Sequence, residues 1–310
     1  MKVLVTGGTG LVGKAIENIS RNYNYEFVFL SSKDCDLTNY HDTEKLFQKE
    51  KPDLVIHLAA NVGGLFKNMK FMADILEDNL KINLNVLKCC HLFKVKKLIS
   101  CLSTCIFPDK TSYPINENML HEGPPHLSNF GYAYSKRILE IQSRAYREQY
   151  DDNFICIIPT NIYGEYDNFS LTDGHVIPAL IHKCYLAKKN NEKFVVKGSG
   201  KPLRQFIYSR DLAELILWTL EKYNEKDSII LSVGEEEEVS IEKIGRIIAK
   251  SFDYENNLIF DKNFSDGQYK KTADNSKLLK LYGKYKFTNI DDGIDKIVNW
   301  FVNNYNSCRK

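Results

Sequence analysis

The sequence predicts an α/β fold in which a doubly wound parallel sheet is followed by a smaller lobe of mixed α/β structure. Short apolar runs alternate with amphipathic helical segments from Lys2 to Ile158, as expected for parallel strands and their connecting helices. A glycine-rich stretch, Gly7 to Gly13 (GGTGLVG), separates the first apolar run from the first helical segment. After Tyr163 the regular alternation ends, which indicates a second lobe.

Length, charge and cysteine content bound the class of protein. The 310 residues suffice for one large domain or two closely packed ones, and the net charge of +2 gives no footprint for nucleic acid or an anionic membrane. The eight cysteines form no CxxC pair or metal-ligand spacing, and no apolar run approaches the roughly 18 residues of a spanning helix. Met1 leads directly into a predicted strand rather than a signal peptide. We therefore expect a cytoplasmic enzyme without a metal, nucleic-acid or membrane partner.

The glycine-rich stretch predicts a dinucleotide site of the Rossmann type. It follows the apolar run Lys2 to Thr6 and precedes a helical segment, which is the context that such a site needs. Glycines permit a tight turn, let the backbone approach a pyrophosphate, and place that anion at a helix N-terminus. The predicted cofactor-binding residues here are Gly7, Gly8, Thr9, Gly10, Leu11, Val12 and Gly13.

The end of the second predicted strand, Glu26 to Leu30, indicates which dinucleotide is bound. An acidic side chain at this place favours NAD, whereas hydroxyls and a cation favour the 2′-phosphate of NADP. Ser31, Ser32 and Lys33 therefore favour NADPH, with Lys33 as its predicted ligand. Asp34 and Asp36, close by, weaken this preference; Asp36 is a predicted cofactor ligand, and one of the two acids is expected to contact only the adenosine side.

The next elements bring a hydroxyl to the ligand-binding edge of the sheet. After a helix (Asp42 to Lys49) and a strand (Leu54 to Leu58), a long helical segment, Phe71 to Phe93, carries Leu76, Leu80, Leu84 and Leu87 on one face. That face is consistent with a subunit interface or with burial inside the monomer. The strand Lys97 to Leu102 follows, and Ser103 stands at its carboxyl end, where open parallel sheets bind ligands.

The helix predicted from Phe130 to Tyr150 carries a Tyr and a Lys four residues apart. Tyr132 and Lys136 project from the same face, so that the ammonium can lower the pKa of the phenol. Together with Ser103 they predict a proton-donor set for reducing a carbonyl. The alternative for an isolated YxxxK pattern is a half-buried aromatic and a solvated Lys. The core face of this helix is predicted to comprise Ile138, Ile141 and Ala145.

The second half of the chain predicts a substrate lobe. We expect residues 1–162 to form the NADP-binding domain, with a returning segment near residues 204–225, and residues 163–310 to form mainly the substrate-binding lobe. The returning segment contains Arg210 to Ala213 (RDLA), which opens a helix expected to pack on the first domain. The other elements predicted here are a helix within 173–189, strands at 194–196 and 229–233, and helices at 240–251 and 291–305.

These motifs together resemble the extended short-chain dehydrogenase/reductase family. The order of glycine turn, Ser and YxxxK is shared with that family, and five segments, two of which contain this Ser and the YxxxK pattern, are similar to its GDP-L-fucose synthase branch. They are STCIFP from Ser103, GYAYSK from Gly131, PTNIYG from Pro159, DGHVIP from Asp173 and RQFIY from Arg204. The resemblance implies NADPH-dependent 3,5-epimerisation and 4-reduction of GDP-4-keto-6-deoxy-D-mannose, and a homodimer.

The resemblance also implies roles for individual residues. Cys105 corresponds to the base that epimerises the sugar and His175 to the acid on its other face; the thiolate needs a pKa lowered by nearby cations. Tyr132 donates a proton to the C4 oxygen, Lys136 holds the nicotinamide ribose, and Ser103 polarises the carbonyl. The remaining implied residues are Pro159, Thr160, Asn161, Ile162 and His175 for the cofactor, and Lys183, Lys197, Arg204, Asp266 and Lys271 for the substrate.

One position departs from the family pattern and keeps other functions open. Relatives usually carry Trp where this chain has Lys197, and an aromatic ring there would pack on the nucleotide base. One alternative is therefore a related epimerase or reductase that acts on another nucleotide sugar. A second is a non-catalytic dinucleotide-binding regulator, which the presence of all five predicted catalytic residues disfavours.

Overall fold

The computed structural model describes residues 1–264, 266 and 268–310, except for the side chains of Leu65 and Phe66. A six-stranded parallel sheet lies at the centre of the first domain. Its strands are β1 (Lys2–Thr6), β2 (Glu26–Phe29), β3 (Leu54–His57), β4 (Lys97–Cys101), β5 (Phe154–Pro159) and, from the second half of the chain, a strand at Ile229–Leu231. The helices between them are α1 (Leu11–Ile19), α2 (Tyr40–Glu50), α3 (Leu65–Lys70), α4 (Met72–Leu92) and α5 (Phe130–Tyr150).

The second half of the chain contributes elements to both lobes. Its strands are β6 (Asn161–Tyr163), β7 (Phe194–Lys197), β8 (Leu203–Arg204), β9 (Phe206–Tyr208), β10 (Ile229–Leu231), β11 (Val239–Ser240) and β12 (Leu258–Asp261). Its helices are α6 (Val176–Asn190), α7 (Ser209–Lys222), α8 (Ile241–Ser251), α9 (Ser276–Tyr282) and α10 (Ile290–Asn303). The strand order β10-β5-β4-β3-β1-β2 confirms the doubly wound parallel sheet.

Alternating residues of the central strands face two separate helix layers. Val3 and Val5 of β1 pack with α1 and α7 on one face, whereas Leu4 packs with α4 and α5 on the other. Because both faces are covered, these strands consist of almost continuous apolar residues. Helix α7, which RDLA opens, packs against α1. Strand β10 also joins the central sheet, so the part of the chain that returns to the sheet continues beyond residue 225. Helices α6, α8 and α10 enclose a separate apolar cluster.

Helix α5 has the bounds that the sequence predicts, but the predicted core face is wrong. Ile138 and Ile141 are 40% and 44% exposed, and Ala145 is exposed as well. The buried stripe instead contains polar side chains, among them Lys136 and Ser143, which bond to carbonyls of the protein. Hydrophobic periodicity misses a helix face of this kind because it scores only apolar residues. On α4, likewise, Leu84 is 53% exposed while Asn79 and Asn83 are buried.

Lys97 holds the end of α7 against the sheet. Its buried ammonium donates hydrogen bonds to the carbonyls of Thr219 and Tyr223, which lie at the C-terminal end of the helix. The Tyr223 carbonyl, at the C-cap, has no N–H of the helix to accept, whereas the Thr219 carbonyl also accepts the N–H of Tyr223 at 3.3 Å. Burial lowers the pKa of Lys97 to about 8.

Replacing this cation by an apolar side chain is expected to destabilise the fold. Lys97→Met leaves the Tyr223 carbonyl without its donor and the Thr219 carbonyl with only the N–H of Tyr223. We expect a loss of about 2 kcal/mol in the free energy of unfolding, measured by urea denaturation. Lys96→Met is the matched control, because the neighbouring Lys96 side chain is 62% exposed and its ion pair with Asp53 contributes little. Equal stability of the two variants would contradict this assignment.

Candidate active site

A cleft of about 730 Å³ lies at the carboxyl edge of the sheet, between the sheet and the second lobe. It brings together predicted residues that are far apart in the sequence. Those lining it are Gly7, Thr9, Gly10, Leu11, Val12, Gly13, Asp36, Ser103, Tyr132, Lys136, Pro159, Thr160, Asn161, Ile162, His175 and Arg204. The predicted residues outside its lining are Gly8, Lys33, Cys105, Lys183, Lys197, Asp266 and Lys271.

The glycine turn has the form that a pyrophosphate site needs. A Cβ on Gly13 would lie 2.5 Å from the backbone of Gly8, and one on Gly8 would lie 2.7 Å from Cβ of Phe29. Only glycine therefore allows strand β2, the turn and α1 to pack this closely. No described side chain caps α1 at Gly10, so its first-turn N–H groups remain available to an anion in the cleft.

The carboxylates after β2 are engaged by their own loop. Asp34 accepts hydrogen bonds from the backbone N–H and the hydroxyl of Ser31, at 2.8 and 2.6 Å. Asp36 accepts from the N–H and hydroxyl of Thr38, at 3.0 and 2.7 Å, and these bonds lower the pKa of both acids. Lys33 is exposed beside them. A cation free of the neighbouring carboxylates fits a 2′-phosphate better than a ribose diol.

Tyr132, Lys136 and Ser103 meet at the end of β4. Lys136 is only 2% exposed, donates to the carbonyl of Cys101 at 2.7 Å, and lies 5.9 Å from the centre of the Tyr132 ring. The expected lowering of the phenol pKa is wrong for this structure, because burial raises the pKa of Tyr132 well above its usual value. The phenol is thus neutral near pH 7, the form that donates a proton.

Cys105 lies in the short 3₁₀ turn Thr104–Ile106 that follows Ser103. The hydroxyl of Ser103 accepts the N–H of Cys105 at 3.4 Å. Burial raises the pKa of the Cys105 thiol, whereas the charges of Lys271 and Lys136 and the Ser103 hydroxyl oppose this rise. The expectation of a lowered pKa is therefore wrong for this structure, although two of the required cations can now be named.

His175 occupies the N-cap position of α6, but its imidazole makes no capping bond to the described backbone. The side chain is 57% exposed and lines the cleft, with Nδ1 3.9 Å from the buried carboxylate of Asp167. That carboxylate raises the pKa of His175, while burial and the charge of Arg309 oppose the rise. A raised pKa increases the protonated fraction, which suits a proton donor.

The predicted substrate residues form two groups. The Arg204 guanidinium lines the cleft and donates to the carbonyl of Gln268 at 2.7 Å, and Lys271 lies close enough to Cys105 for their charges to affect each other's pKa. Lys183 and Lys197 lie near each other instead: burial lowers the pKa of Lys183, and the charge of Lys197 lowers it further. Gly267, within the predicted DGQYKK segment, lies outside the described residues.

Two further contacts concern the departure from the family pattern at Lys197. The ammonium of Lys197 lies 4.5 Å from the centre of the Phe264 ring, so an aromatic group is present beside this position after all. Asp266 accepts the N–H and the hydroxyl of Ser199, at 2.8 and 2.5 Å. These bonds connect Asp266 to the Gly198–Gly200 loop, so Asp266 has a structural role in the loop. Its role in binding the substrate stays a prediction.

The sequence did not identify Asp167 and Arg309 as site residues. Both line the cleft next to His175, and the Arg309 carbonyl accepts the N–H of Phe169 at 2.8 Å, which holds the end of the chain there. Neither residue lies in a motif, so only the tertiary contact reveals them. In the described part of the chain no cluster of metal-ligating side chains occurs, and no described helix is long and apolar enough to cross a membrane.

Opposite substitutions at these two positions are expected to move the pKa of His175 in opposite directions. Asp167→Asn removes the carboxylate that favours imidazolium and lowers this pKa, whereas Arg309→Gln removes an opposing cation and raises it. An NMR titration of the His175 ring protons measures both shifts. Shifts of the same sign, or none, would contradict the arrangement of charges described here.

Comparison with known proteins agrees with this geometry. Residues 3–234 match the NAD dependent epimerase/dehydratase family. GDP-L-fucose synthase of Dictyostelium discoideum is 55% identical over 99% of this chain and 97% of its own length, and a probable GDP-L-fucose synthase of Drosophila melanogaster is 49% identical over 100% and 99%. The crystal structure of a GDP-L-fucose synthetase from Naegleria fowleri bound to NADP superposes with a TM-score of 0.96 at 49% identity, covering 100% of this chain and 95% of that one. This chain belongs to the GDP-L-fucose synthase family, within the NAD dependent epimerase/dehydratases.

Proposed function

We propose that this protein converts GDP-4-keto-6-deoxy-D-mannose into GDP-L-fucose, by epimerising carbons 3 and 5 and reducing carbon 4 with NADPH. The observation that carries this proposal is the joint presence of two kinds of acid–base group beside one dinucleotide turn. Ser103, Tyr132 and Lys136 supply the chemistry of a reductase, and Cys105 and His175 that of an epimerase. Family membership supports the same conclusion.

For the epimerisation, the chain has to provide a base and an acid on opposite faces of the sugar. The C4 ketone acidifies carbons 3 and 5, because the electron pair of the broken C–H bond moves into an enolate. Cys105 as thiolate takes this proton and becomes a thiol, with Lys271 and Lys136 stabilising the charge beforehand. His175 as imidazolium then returns a proton to the same carbon from the other face, which inverts it.

For the reduction, the same residues that hold the enolate oxygen act on the ketone. Ser103 and Tyr132 donate hydrogen bonds to the C4 oxygen, and the Tyr132 proton completes the alcohol. Lys136, already fixed by the carbonyl of Cys101, holds the nicotinamide ribose and orients the phenol. NADPH supplies the hydride when it is bound.

The cofactor fits the residues of the cleft. The uncapped first turn of α1 binds the pyrophosphate, and Lys33 binds the 2′-phosphate beside two acids that are occupied by their own loop. Pro159 to Ile162 and His175 line the nicotinamide end. The division into an NADP-binding domain, residues 1–162, and a substrate lobe is part of the same proposal.

The GDP moiety is assigned to the two groups of substrate residues. Arg204 and Lys271, whose charges affect each other beside Cys105, neutralise the phosphates near the sugar. Lys183 and Lys197 form a separate pair and serve the outer part of the nucleotide. Lys197 and Phe264 together offer a cation and a ring at the place where relatives carry Trp. A cytosolic location, for which the eight free cysteines are the support, stays a prediction.

The second partner is another copy of this chain. Leu84 on α4 and Ile138 and Ile141 on α5 are exposed apolar side chains of two helices that pack side by side. Asn83 of α4 donates a hydrogen bond to the carbonyl of Ser135 on α5 at 3.4 Å, which joins the two helices. Leu84 and Ile138 come shortly after these two bonded residues in their helices. A homodimer would cover this apolar surface.

The activity is tested by adding purified protein and NADPH to GDP-4-keto-6-deoxy-D-mannose. We expect loss of NADPH absorbance and a product with the stereochemistry of GDP-L-fucose, with NADH a poorer substrate. If folded protein binds NADPH but consumes none, the substrate assignment is wrong, and other nucleotide keto sugars become the next assay. If no keto sugar is reduced or epimerised, the non-catalytic alternative is favoured.

Replacing the proposed base separates epimerisation from cofactor binding. Cys105→Ser is expected to slow deuterium exchange from D2O into carbons 3 and 5 by about a thousand-fold, because a hydroxyl is a far weaker acid than a thiol. The dissociation constant of NADPH should remain nearly unchanged. Cys101→Ser is the control, since Cys101 also lies near Tyr132. Exchange lost in the control but kept in Cys105→Ser would assign the base to Cys101.

A charge on the apolar surface of α5 is expected to separate the dimer. Ile141→Glu places a carboxylate of each copy in the interface, and burying these unpaired charges costs more free energy than the dimer gains. Light scattering after gel filtration should therefore report a monomer. Ile259→Glu, at a residue of similar exposure in the second lobe, should leave the dimer intact. A dimer in both variants would place the interface elsewhere.

A further inference from the structure

Two successive side chains of α5 hold the two ends of the turn that carries the catalytic residues. Lys136 donates to the carbonyl of Cys101, before Ser103, and the Nε of Arg137 donates to the carbonyl of Ile106, after Cys105. The turn is thus attached on both sides to the helix that also carries Tyr132. Lys136 has a place in the reductase motif, whereas nothing in the motif assigns a role to Arg137.

Arg137 is an unusual residue to find in this position. It is 7% exposed, its guanidinium carbon lies 5.7 Å from the centre of the Tyr134 ring, and its Nη2 is buried without a hydrogen-bond partner among the described residues. A buried cation with an unsatisfied donor costs free energy, and a well-packed apolar side chain would often be at least as stable. Stability therefore does not explain this Arg well.

We propose that Arg137 is a positioning residue for epimerisation, which fixes the turn so that the Cys105 thiol meets the sugar at a set distance from Tyr132. The inference rests on the proposed role of Cys105 as base. Proton transfer from carbon is sensitive to small misplacements of the base, so a turn held at only one end loses rate. The Lys136 bond remains without Arg137, and cofactor binding is therefore spared.

The chain contains a closely matched control on the same helix. Arg147 is also buried, donates to a backbone carbonyl, that of Phe154, at 2.7 Å, and also has one buried nitrogen, Nε, without a described partner. It holds the start of β5 instead of the catalytic turn. Arg137→Met and Arg147→Met thus remove the same kind of bond and differ in what that bond holds.

Two measurements on the full-length variants test the proposal. The first is deuterium exchange from D2O into carbons 3 and 5 of the keto sugar. It should fall by about ten- to a hundred-fold in Arg137→Met, relative to Arg147→Met, with the NADPH dissociation constant changed by less than about two-fold. The second is alkylation of Cys105 by iodoacetamide, followed by peptide mass spectrometry. It should be about ten-fold faster in Arg137→Met only, because a loosened turn exposes the thiol.

Arg137→Lys provides a conservative variant, which also covers the case that Arg137→Met does not fold. Its ammonium can donate to the same carbonyl, so it should restore exchange and slow alkylation at least in part. Equal exchange and equal alkylation in the Arg137 and Arg147 variants would overturn the proposal and leave Arg137 a structural residue. If the unaltered protein shows no exchange, the proposed function fails, and the alkylation rates alone still decide whether Arg137 holds the turn.

Discussion

The structure of the candidate site depends on the attachment of one turn to one helix. The ammonium of Lys136, almost fully buried, is bonded to the carbonyl of Cys101 and lies beside the Tyr132 ring. A buried cation needs such a partner, because leaving it unpaired would cost several kcal/mol. The same bond joins the end of β4 to α5, and Ser103, which follows β4, lines the same cleft as the phenol. Reductase chemistry requires this contact between the sheet edge and the helix.

Burial also determines the protonation state of the site. It raises the pKa of the Tyr132 phenol and of the Cys105 thiol, whereas Asp167 raises the pKa of His175 by its charge. The phenol is consequently held in the form that donates a proton, and the protonated fraction of the imidazole is increased. The thiol is held in the form that cannot accept a proton, so the role of base proposed for Cys105 depends on the charges of Lys271 and Lys136. Burial thus favours the protonated phenol, the carboxylate of Asp167 favours the imidazolium, and only local cations favour the thiolate.

Sequence patterns predict the elements of this protein better than their orientation. The buried strands are continuous apolar runs, and α5 begins and ends at the predicted residues. Its predicted core face is wrong because Lys136, Ser143 and Arg147 occupy the buried face instead, where each donates a hydrogen bond to a backbone carbonyl. The apolar residues Ile138 and Ile141 consequently lie on the surface. Hydrophobic periodicity assigns every charged residue to the exposed face of a helix, so it cannot predict a cation that is buried and hydrogen-bonded inside the protein.

By itself the sequence determined the fold class, the glycine turn and the order in which Ser103, Cys105, Tyr132, Lys136 and His175 occur. These features are local: they depend on spacing along one strand, one turn or one helix. Only the tertiary structure decided that Arg309 lies beside His175, that Lys271 acts on Cys105, and that the acids after β2 are occupied by their own loop. These contacts depend on how side chains from different segments pack together, and such packing produces no motif or periodic spacing in the sequence.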